Sequence, residues 1–344
     1  MKASYHRHEL QFKRPSGTSR GVLKTKETWF IRIENKGNYG IGECGILRGL
    51  SIDDRTDYEE KLNWTCQNIQ LGKEKLLEEL IEFPSIQMGV EMAFISLASK
   101  NPHVLFPSDF TTGNSGITIN GLIWMGEFDF MKQQIEEKLA KGFTCVKLKI
   151  GAINFADELT LLKKIRNQFS EKEVELRVDA NGAFHPNDAL EKLKRLSEFN
   201  LHSIEQPIET KQWQDMAELC EKTPLPIALD EELIGVFDVT KRQAMLQTIQ
   251  PQYIILKPSL VGGFKETKNW IDIAESQDIN WWITSALESN VGLNAIAQFT
   301  YTLQNKMPQG LGTGSLYTNN ISSPLEINGE KLWYNPKKNW DKIE

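Results

Sequence analysis

Val146-Lys147-Leu148-Lys149-Ile150-Gly151 and, one unit further on, Leu176-Arg177-Val178-Asp179-Ala180-Asn181-Gly182 decide how this chain is read. Each is a short β-forming run that ends on a charge and breaks at glycine. Side chains alternate along a strand, so Lys147 and Lys149 share one face, as do Arg177 and Asp179. Val146, Leu148 and Ile150 take the other face. Strands of a parallel barrel are covered on both sides, where inward charges are costly unless paired or metal-bound.

Working outward, the same design recurs. Candidate strands lie at 117–124, 145–150, 174–179, 202–205, 226–230, 253–257, 281–285 and 308–312, separated by helical runs such as 126–141, 155–169, 187–199, 264–277 and 290–303. Eight strands alternating with helices predict an α/β fold, a TIM-like (β/α) barrel, beginning near residue 116. The last strand has no evident helix after it, and residues 317–344, with Pro, Asn and Trp, read as an irregular tail. Upstream, residues 4–14, 27–35 and 39–46 read as strands, and 55–82 and 85–99 as helices. Strands followed by helices predict a separate α+β domain over 1–115. Between its first two strands, Pro15-Ser16-Gly17-Thr18-Ser19-Arg20-Gly21 reads as a mobile loop.

Polar residues fall at the strand ends: Lys149, Asp179, Glu205, Asp230, Lys257, Ser285 and Thr313, with separations of 30, 26, 25, 27, 28 and 28 residues. Each interval is about one βα unit, so each residue sits on its own strand at a similar height, on the rim where barrels build active sites. Any one of them alone has an ordinary explanation as a snorkelling lysine or a helix cap. Their joint registration points to a site. Glu231 and Glu232 read as helix-capping or surface charges, His185 and His202 as structural histidines, and the nine tryptophans as packing.

Asp179, Glu205 and Asp230 form an all-oxygen donor set with no His or Cys at matching spacing, which disfavours Zn²⁺ and favours Mg²⁺ or Mn²⁺. Such a cation would act as a Lewis acid on the enolate formed when a carboxylate substrate loses its α-proton. Lys149 and Lys257 flank the trio. A lysine base must be neutral near pH 7 although its ordinary pKa is about 10.4. A divalent cation, partial burial and a second ammonium such as Lys147 all push that way. One lysine would remove the proton while the other, left charged, would stabilise the enolate or act as acid.

The bulk properties agree. The 344 residues are 40% hydrophobic and 25% charged, with a net charge of -6, and the pI is about 5.6. That disfavours nucleic acid as the main partner and gives no basic membrane-binding surface. Residues 1–10 are polar, no stretch reaches a membrane span, and Cys44, Cys66, Cys145 and Cys220 are scattered, so a cytoplasmic location is expected.

Lys-x-Lys, then Asp, Glu and Asp on successive strands, then Lys, resembles the enolase superfamily, and within it the muconate-lactonising-enzyme-like subgroup. The resemblance covers nearly the whole chain. It implies an α+β capping domain (1–115), a (β/α)₇β barrel (116–316) and a C-terminal tail (317–344) packing on the cap. Four segments look closer to one branch, which dehydrates a succinyl-hydroxycyclohexadiene carboxylate to 2-succinylbenzoate in menaquinone biosynthesis. They are Trp29-Phe30-Ile31 with Gly42-Glu43-Cys44, the stretch from Pro84 to Ala93, the run from Ile119 to Gly126, and the run from Arg177 to Phe184. By that resemblance Lys149 abstracts the α-proton and delivers it to the departing hydroxyl, Lys257 stays cationic, and Asp179, Glu205 and Asp230 hold Mg²⁺. Lys147, Arg177, Asn181, Ser285, Ser289, Gly312 and Thr313 are expected to face the substrate. Backbone N–H groups at the helix starting near 290 are expected to bind the succinyl carboxylate. Asp230-Glu231-Glu232 departs from the subgroup's frequent Asp-Glu-Ser, at a position that is not a ligand.

Other activities on this scaffold are an N-succinylamino acid racemase and a dipeptide epimerase. Dipeptide epimerases carry Asp-x-Asp after the last strand, whereas residues 314–320 contain no acid. Residues 281–292 lack the His base of mandelate-racemase-like enzymes. A silent, non-enzymatic barrel is hard to reconcile with a complete set of lysines and carboxylates.

Overall fold

The computed structural model describes residues 1–18, 21–124, 126–151 and 153–342. Three antiparallel strands, β1 (Lys2–Thr18), β2 (Gly21–Asn35) and β3 (Asn38–Gly45), open the chain. Lys36 and Gly37 both take positive φ in the second turn, as a tight hairpin requires. From Ser16 on, the described residues of the stretch 15–21 are paired rather than looped out. β1 and β2 stay paired through Ser16–Leu23 and Thr18–Gly21, past a register shift after Gln11, so the small residues form the end of a long ribbon. Ser19 and Arg20 lie outside the described residues.

Helices α1 (Tyr58–Gln67), α2 (Lys73–Glu79) and α3 (Pro84–Ala98) follow. The single helical run expected over 55–82 is broken at Gly72, where φ is 81°. α3 lies directly on β3 because neither side has a Cβ at the crossing: a Cβ on Gly42 would stand 1.8 Å from the carbonyl oxygen of Gly89. Trp29, Ile31, Ile33, Leu62, Ile86 and Val90 fill the small core beneath.

Asp53 ties the loop after β3 to the start of α3. Its Oδ2 accepts from Ser85 N at 2.9 Å and Ser85 Oγ at 2.6 Å. Burial pushes this carboxyl up to about 6 although the Ser85 bonds oppose it. A raised acid binds a proton more tightly folded than unfolded, so stability falls as pH rises from about 4 to about 6 and is level above. Asp53→Asn keeps both accepted bonds and removes the charge. It is expected to gain about 3 kcal/mol over wild type between pH 4 and pH 7, read as the difference of their denaturation curves. A pH-independent difference would refute the assignment.

After the short strand β4 (Ile117–Thr118) come the barrel strands β5 (Gly121–Ile123), β6 (Cys145–Lys149), β7 (Glu175–Asp179), β8 (Ser203–Glu205), β9 (Ile227–Leu229), β10 (Tyr253–Leu256) and β11 (Asn280–Ile283). β5 to β11 form one curled parallel sheet in sequence order. Around it run α4 (Phe128–Ala140), α5 (Phe155–Gln168), α6 (Pro186–Ser197), α7 (Trp213–Lys222), α8 (Val239–Ile249), the single turn α9 (Pro258–Val261), α10 (Gly263–Glu275) and α11 (Asn290–Thr302). The expected strand 117–124 is split, since β4 pairs outward with the C-terminal hairpin while β5 pairs with β6. Met125 lies outside the described residues.

The predicted eighth strand, 308–312, contracts to a bridge. Gln309 pairs with Ile119 and Gly310 with Thr284, closing the barrel through Asn120 N to Gln309 O at 3.0 Å and Gly310 N to Ile283 O at 2.8 Å. A Cβ on Gly310 would stand 2.4 Å from Thr284 Oγ1, so only glycine closes the wall. Among the described residues no helix follows it. The tail is more ordered than its composition suggested. β12 (Leu325–Asn328) and β13 (Lys331–Tyr334) form a hairpin at Gly329, where φ is 60°. Upstream of it, Tyr317 bridges Phe12 of β1 and Thr318 N donates to Gln11 O.

Two carboxylates of the N-terminal unit dock it on the barrel. Glu91 of α3 accepts from Phe264 N at 2.6 Å at the start of α10. Glu43 of β3 accepts from Ser289 N at 2.8 Å and Gly292 N at 2.7 Å at the start of α11. Each satisfies orphan amides and meets the positive end of a helix dipole.

Candidate active site

The parallel register sets Lys149 beside Asp179 and Asp179 beside Glu205. All three therefore project from the C-terminal ends of neighbouring strands into the barrel mouth. Lys149 Nζ donates to Asp179 Oδ2 at 2.9 Å and to Asn181 Oδ1 at 2.7 Å. Lys147, one layer lower, donates to Asp179 Oδ2 at 3.0 Å and Glu205 Oε2 at 2.6 Å. Lys257 pairs with Asp230 Oδ2 on the opposite wall. Asn181 takes φ 45°, a left-handed conformation that Asn tolerates, and its amide donates to Glu231 Oε1 at 2.9 Å.

The electrostatics follow from burial. Asp179, Glu205 and Asp230 are all essentially inaccessible to solvent. Burial would raise the Asp179 carboxyl, but Lys147 and Lys149 outweigh it and hold it far below the usual carboxylate range. Glu205 goes the other way: burial, joined by Asp179 and Asp230, pushes it well above its ordinary value. Burial favours a neutral Lys257, but Asp230, Glu205 and Glu231 overcome it and keep the ammonium charged.

Four carboxylates thus face three ammoniums. Among the described residues, no three Asp, Glu, His or Cys side chains stand in an arrangement that would hold a metal by themselves. The lysines lie between them. Yet Glu205 Oε1 is buried with no hydrogen-bond partner among the described residues. An orphaned buried carboxylate oxygen and an excess of oxygen donors suit a hard divalent cation.

A cavity opens above these groups. Its floor and walls include Lys147, Lys149, Asn181, Glu231 and Lys257, with Ser285, Gly312 and Thr313 on one side. Leu23, Leu47, Arg48 and Leu50 of the N-terminal unit and Trp124 of the barrel supply much of the remaining wall. The loop residues around 48 and the ribbon residue Leu23 were not legible as site residues, because their approach depends on how the two units dock.

Three groups lie elsewhere than expected. Arg177 shares the inward face but lies below the cavity, where Nε donates to Glu175 at 2.7 Å, Nη1 to Pro308 O at 3.0 Å, and the guanidinium stacks on Trp282 at 4.3 Å. It fills the barrel interior. Arg177→Met is expected to cost about 2–3 kcal/mol of stability and to change kcat/KM of the folded enzyme less than threefold. A large kcat/KM loss at unchanged stability would return it to the substrate set. Ser289 and the amides at the head of α11 do not face the cavity. Ser289 caps the helix through Val291 N and donates its hydroxyl to Glu43 Oε2 at 2.5 Å, so the helix terminus is already taken by a protein carboxylate. Glu231 and Glu232 are not surface charges: both are buried. Glu232 accepts from Lys211 N at 2.8 Å and Trp213 Nε1 at 2.9 Å. His185 caps α6 through Asn187 N at 3.2 Å and His202 packs against Tyr253 and Trp282, both structural as read.

A curled parallel sheet whose C-terminal rim gathers lysines against buried carboxylates, roofed by an N-terminal α+β unit, defines a class of barrel enzyme. Residues 130–333 match the family described as enolase C-terminal domain-like. The chain is 49% identical to o-succinylbenzoate synthase of Desulfotalea psychrophila over 96% of this chain and 98% of that one. The crystal structure of MenC from the same organism superposes with a TM-score of 0.87 at 46% identity, covering 97% of this chain and 99% of the other. N-succinylamino acid racemase of Amycolatopsis is 25% identical over 92% of this chain and 88% of its own length. The chain belongs to the enolase superfamily and, within it, to the o-succinylbenzoate synthase family.

Proposed function

We propose that this chain dehydrates 2-succinyl-6-hydroxy-2,4-cyclohexadiene-1-carboxylate to 2-succinylbenzoate, a carbon–oxygen lyase step of menaquinone biosynthesis. The observation that carries this is the pair of lysines, Lys149 and Lys257, facing one cavity beside three buried carboxylates, in a chain 49% identical to an o-succinylbenzoate synthase.

The superfamily works with a divalent metal. Asp179, Glu205 and Asp230 would hold it here, with Mg²⁺ as the preferred ion and Mn²⁺ as a substitute. When bound, it supplies Lewis acidity towards the substrate carboxylate. Lys149, as the neutral amine, takes the proton from the carbon bearing that carboxylate. Asn181 and Asp179 fix its Nζ for the transfer. The same ammonium then returns the proton to the hydroxyl on the adjacent carbon, on the same face, and the hydroxyl leaves as water. The electrons of the broken C–H bond become the third ring double bond as the C–O bond breaks, which makes the ring aromatic. Lys257, kept charged by its acidic neighbours, faces the negative charge that develops on the carboxylate. Asn181, Ser285, Gly312 and Thr313 line the space for the remainder of the substrate, and Lys147 braces the carboxylates beneath.

Racemisation of N-succinylamino acids is the second reading, because two lysines on one cavity suit proton exchange on both faces of a carbon. The substrate is a small carboxylate. A net charge of -6 argues against nucleic acid, and among the described residues no helix is long and apolar enough to cross a membrane. We place the enzyme in the cytoplasm.

The test is ultraviolet-monitored turnover of the diene by purified protein with Mg²⁺ and then with EDTA. Fast, EDTA-sensitive loss of diene absorbance is the expected result. No turnover by folded, metal-loaded protein, with polarimetric racemisation of N-succinylamino acids instead, would replace the dehydratase reading with the second one.

A further inference from the structure

A second buried charge cluster lies behind the cavity wall, where the N-terminal sheet meets the barrel. Glu288, between β11 and α11, is completely buried. Its Oε1 accepts from Ser259 Oγ at 2.5 Å and its Oε2 from Ser285 Oγ at 2.6 Å. Ser285 is in turn 2.8 Å from Thr313 Oγ1. Since the Ser285 proton is committed to the carboxylate, Thr313 donates in that pair. One carboxylate therefore ties together three consecutive rim segments: the turn after β10, the loop after β11 and the strand-like segment that closes the barrel.

The first of these segments carries Lys257. α9 begins immediately after it, with Leu260 N bonded to Lys257 O at 2.8 Å, and Ser259 sits within that turn. Gripping Ser259 fixes the turn and hence the root of the Lys257 side chain. Ser285 and Thr313 both line the cavity, so the same carboxylate sets that wall.

A buried carboxylate needs a counter-charge, and a buried cation that feels Glu288 belongs to the other unit. Lys26 of β2 is buried, and its Nζ has no hydrogen-bond partner among the described residues. Two glycines make room for the cluster. A Cβ on Gly45 would stand 2.8 Å from Lys26 Nζ and 3.6 Å from Glu43 Oε1, and one on Gly292 would stand 2.8 Å from Glu43 Oε2 and 2.9 Å from Glu288 Cβ. Burial pushes the Lys26 ammonium down, and Glu43 first and Glu288 second oppose that shift, Glu43 being already bonded to Thr28 Oγ1 and the head of α11.

We propose that Glu288, balanced by Lys26 of the N-terminal sheet, is a positioning residue that sets Lys257 and the Ser285–Thr313 wall for the reaction. The barrel rim is then charge-complete only when the N-terminal sheet is docked, which couples the roof of the cavity to its chemistry. The proposal rests on the dehydratase reading, and wild-type turnover of the diene tests that reading separately.

The variants are Glu288→Gln, Ser259→Ala, Lys26→Met and the Glu288→Gln/Lys26→Met pair, assayed with Mg²⁺ at saturating and limiting diene alongside thermal denaturation. Misplacing a group that acts in the transition state lowers kcat and kcat/KM together, and misplacement by about 1 Å costs on the order of 100-fold. Glu288→Gln is expected to lose roughly 10- to 100-fold in kcat with KM within about threefold of wild type. Ser259→Ala, which keeps every charge and does not threaten folding, is expected to lose several-fold in the same pattern. In the double variant the loss should be no greater than in the worse single one, as for residues acting as a pair. Wild-type turnover with Ser259→Ala and Glu288→Gln both within twofold of its kcat, whatever their melting temperatures, would overturn the positioning role. Multiplicative losses in the double variant would overturn the Lys26 pairing.

Discussion

Lys149→Ala is expected to reduce kcat for dehydration by about 10³- to 10⁴-fold, towards the upper end of what one positioned acid–base group contributes, because in the proposed mechanism the same amine would both take the proton and return it. The fold should survive. Lys149 sits at the rim with its side chain 14% exposed, and Asp179 keeps its second ammonium, Lys147, at 3.0 Å. Lys149→Arg is the sharper variant. A guanidinium retains the positive charge beside Asp179 but does not deprotonate near neutral pH, so it should be as inactive as alanine. Activity within tenfold of wild type in the arginine variant would show that the position supplies charge alone, and would move the base assignment to Lys257. Steady-state turnover, melting temperature and metal affinity, measured on the same preparations, separate these cases.

Removing the divalent metal with EDTA is expected to bring turnover to background, with recovery on adding Mg²⁺ or Mn²⁺. Asp179→Ala is expected to weaken Mg²⁺ binding at least about 100-fold, since even outer-shell partners of a metal are worth 10- to 100-fold in affinity. The physical reason is visible without the ion. Burial and two neighbouring carboxylates drive Glu205 towards the protonated form, while the ammoniums of Lys147 and Lys149 hold Asp179 ionised. A divalent cation relieves the repulsion among the three acids. Calorimetric titration reads the affinity. Unchanged Mg²⁺ binding in Asp179→Ala would remove Asp179 from the ligand set, and EDTA-insensitive turnover would remove the metal from the reaction.

Much of the barrel was legible because strand periodicity is local. Val146, Leu148 and Ile150 against Lys147 and Lys149 specify a face, and six successive intervals of about one βα unit specify a rim. The boundaries of β6, β7 and β10 were read to within one residue. The eighth strand was read as five residues and is a two-residue bridge at Gln309 and Gly310, since its length depends on how closely Thr284 and Ile119 approach it. The tail looked irregular because a hairpin whose outer partner is β4, some two hundred residues earlier, leaves no local signature of that pairing.

The depth of a charge was not legible either. Arg177 and Asp179 share a face two residues apart, yet the arginine closes over Trp282 while the aspartate pairs with Lys149, which lines the cavity. Alternation gives direction, whereas height along the barrel axis comes from strand tilt and register. Glu43 shows the same limit most clearly. It stands in the Gly-Glu-Cys run of β3 and caps a helix that begins almost two hundred and fifty residues later, displacing the ligand role expected for that helix.

By itself, then, the sequence determined the fold class, the rim and the identity of the lysines and carboxylates on it, because these follow from short-range periodicity and from the cost of inward charge. Only the tertiary structure decided which charges neutralise one another, which helix end remains available to a ligand, and which residues of the N-terminal unit roof the cavity. Those outcomes depend on distances between segments remote in the chain, and electrostatic energy in a buried site changes steeply over a few ångströms.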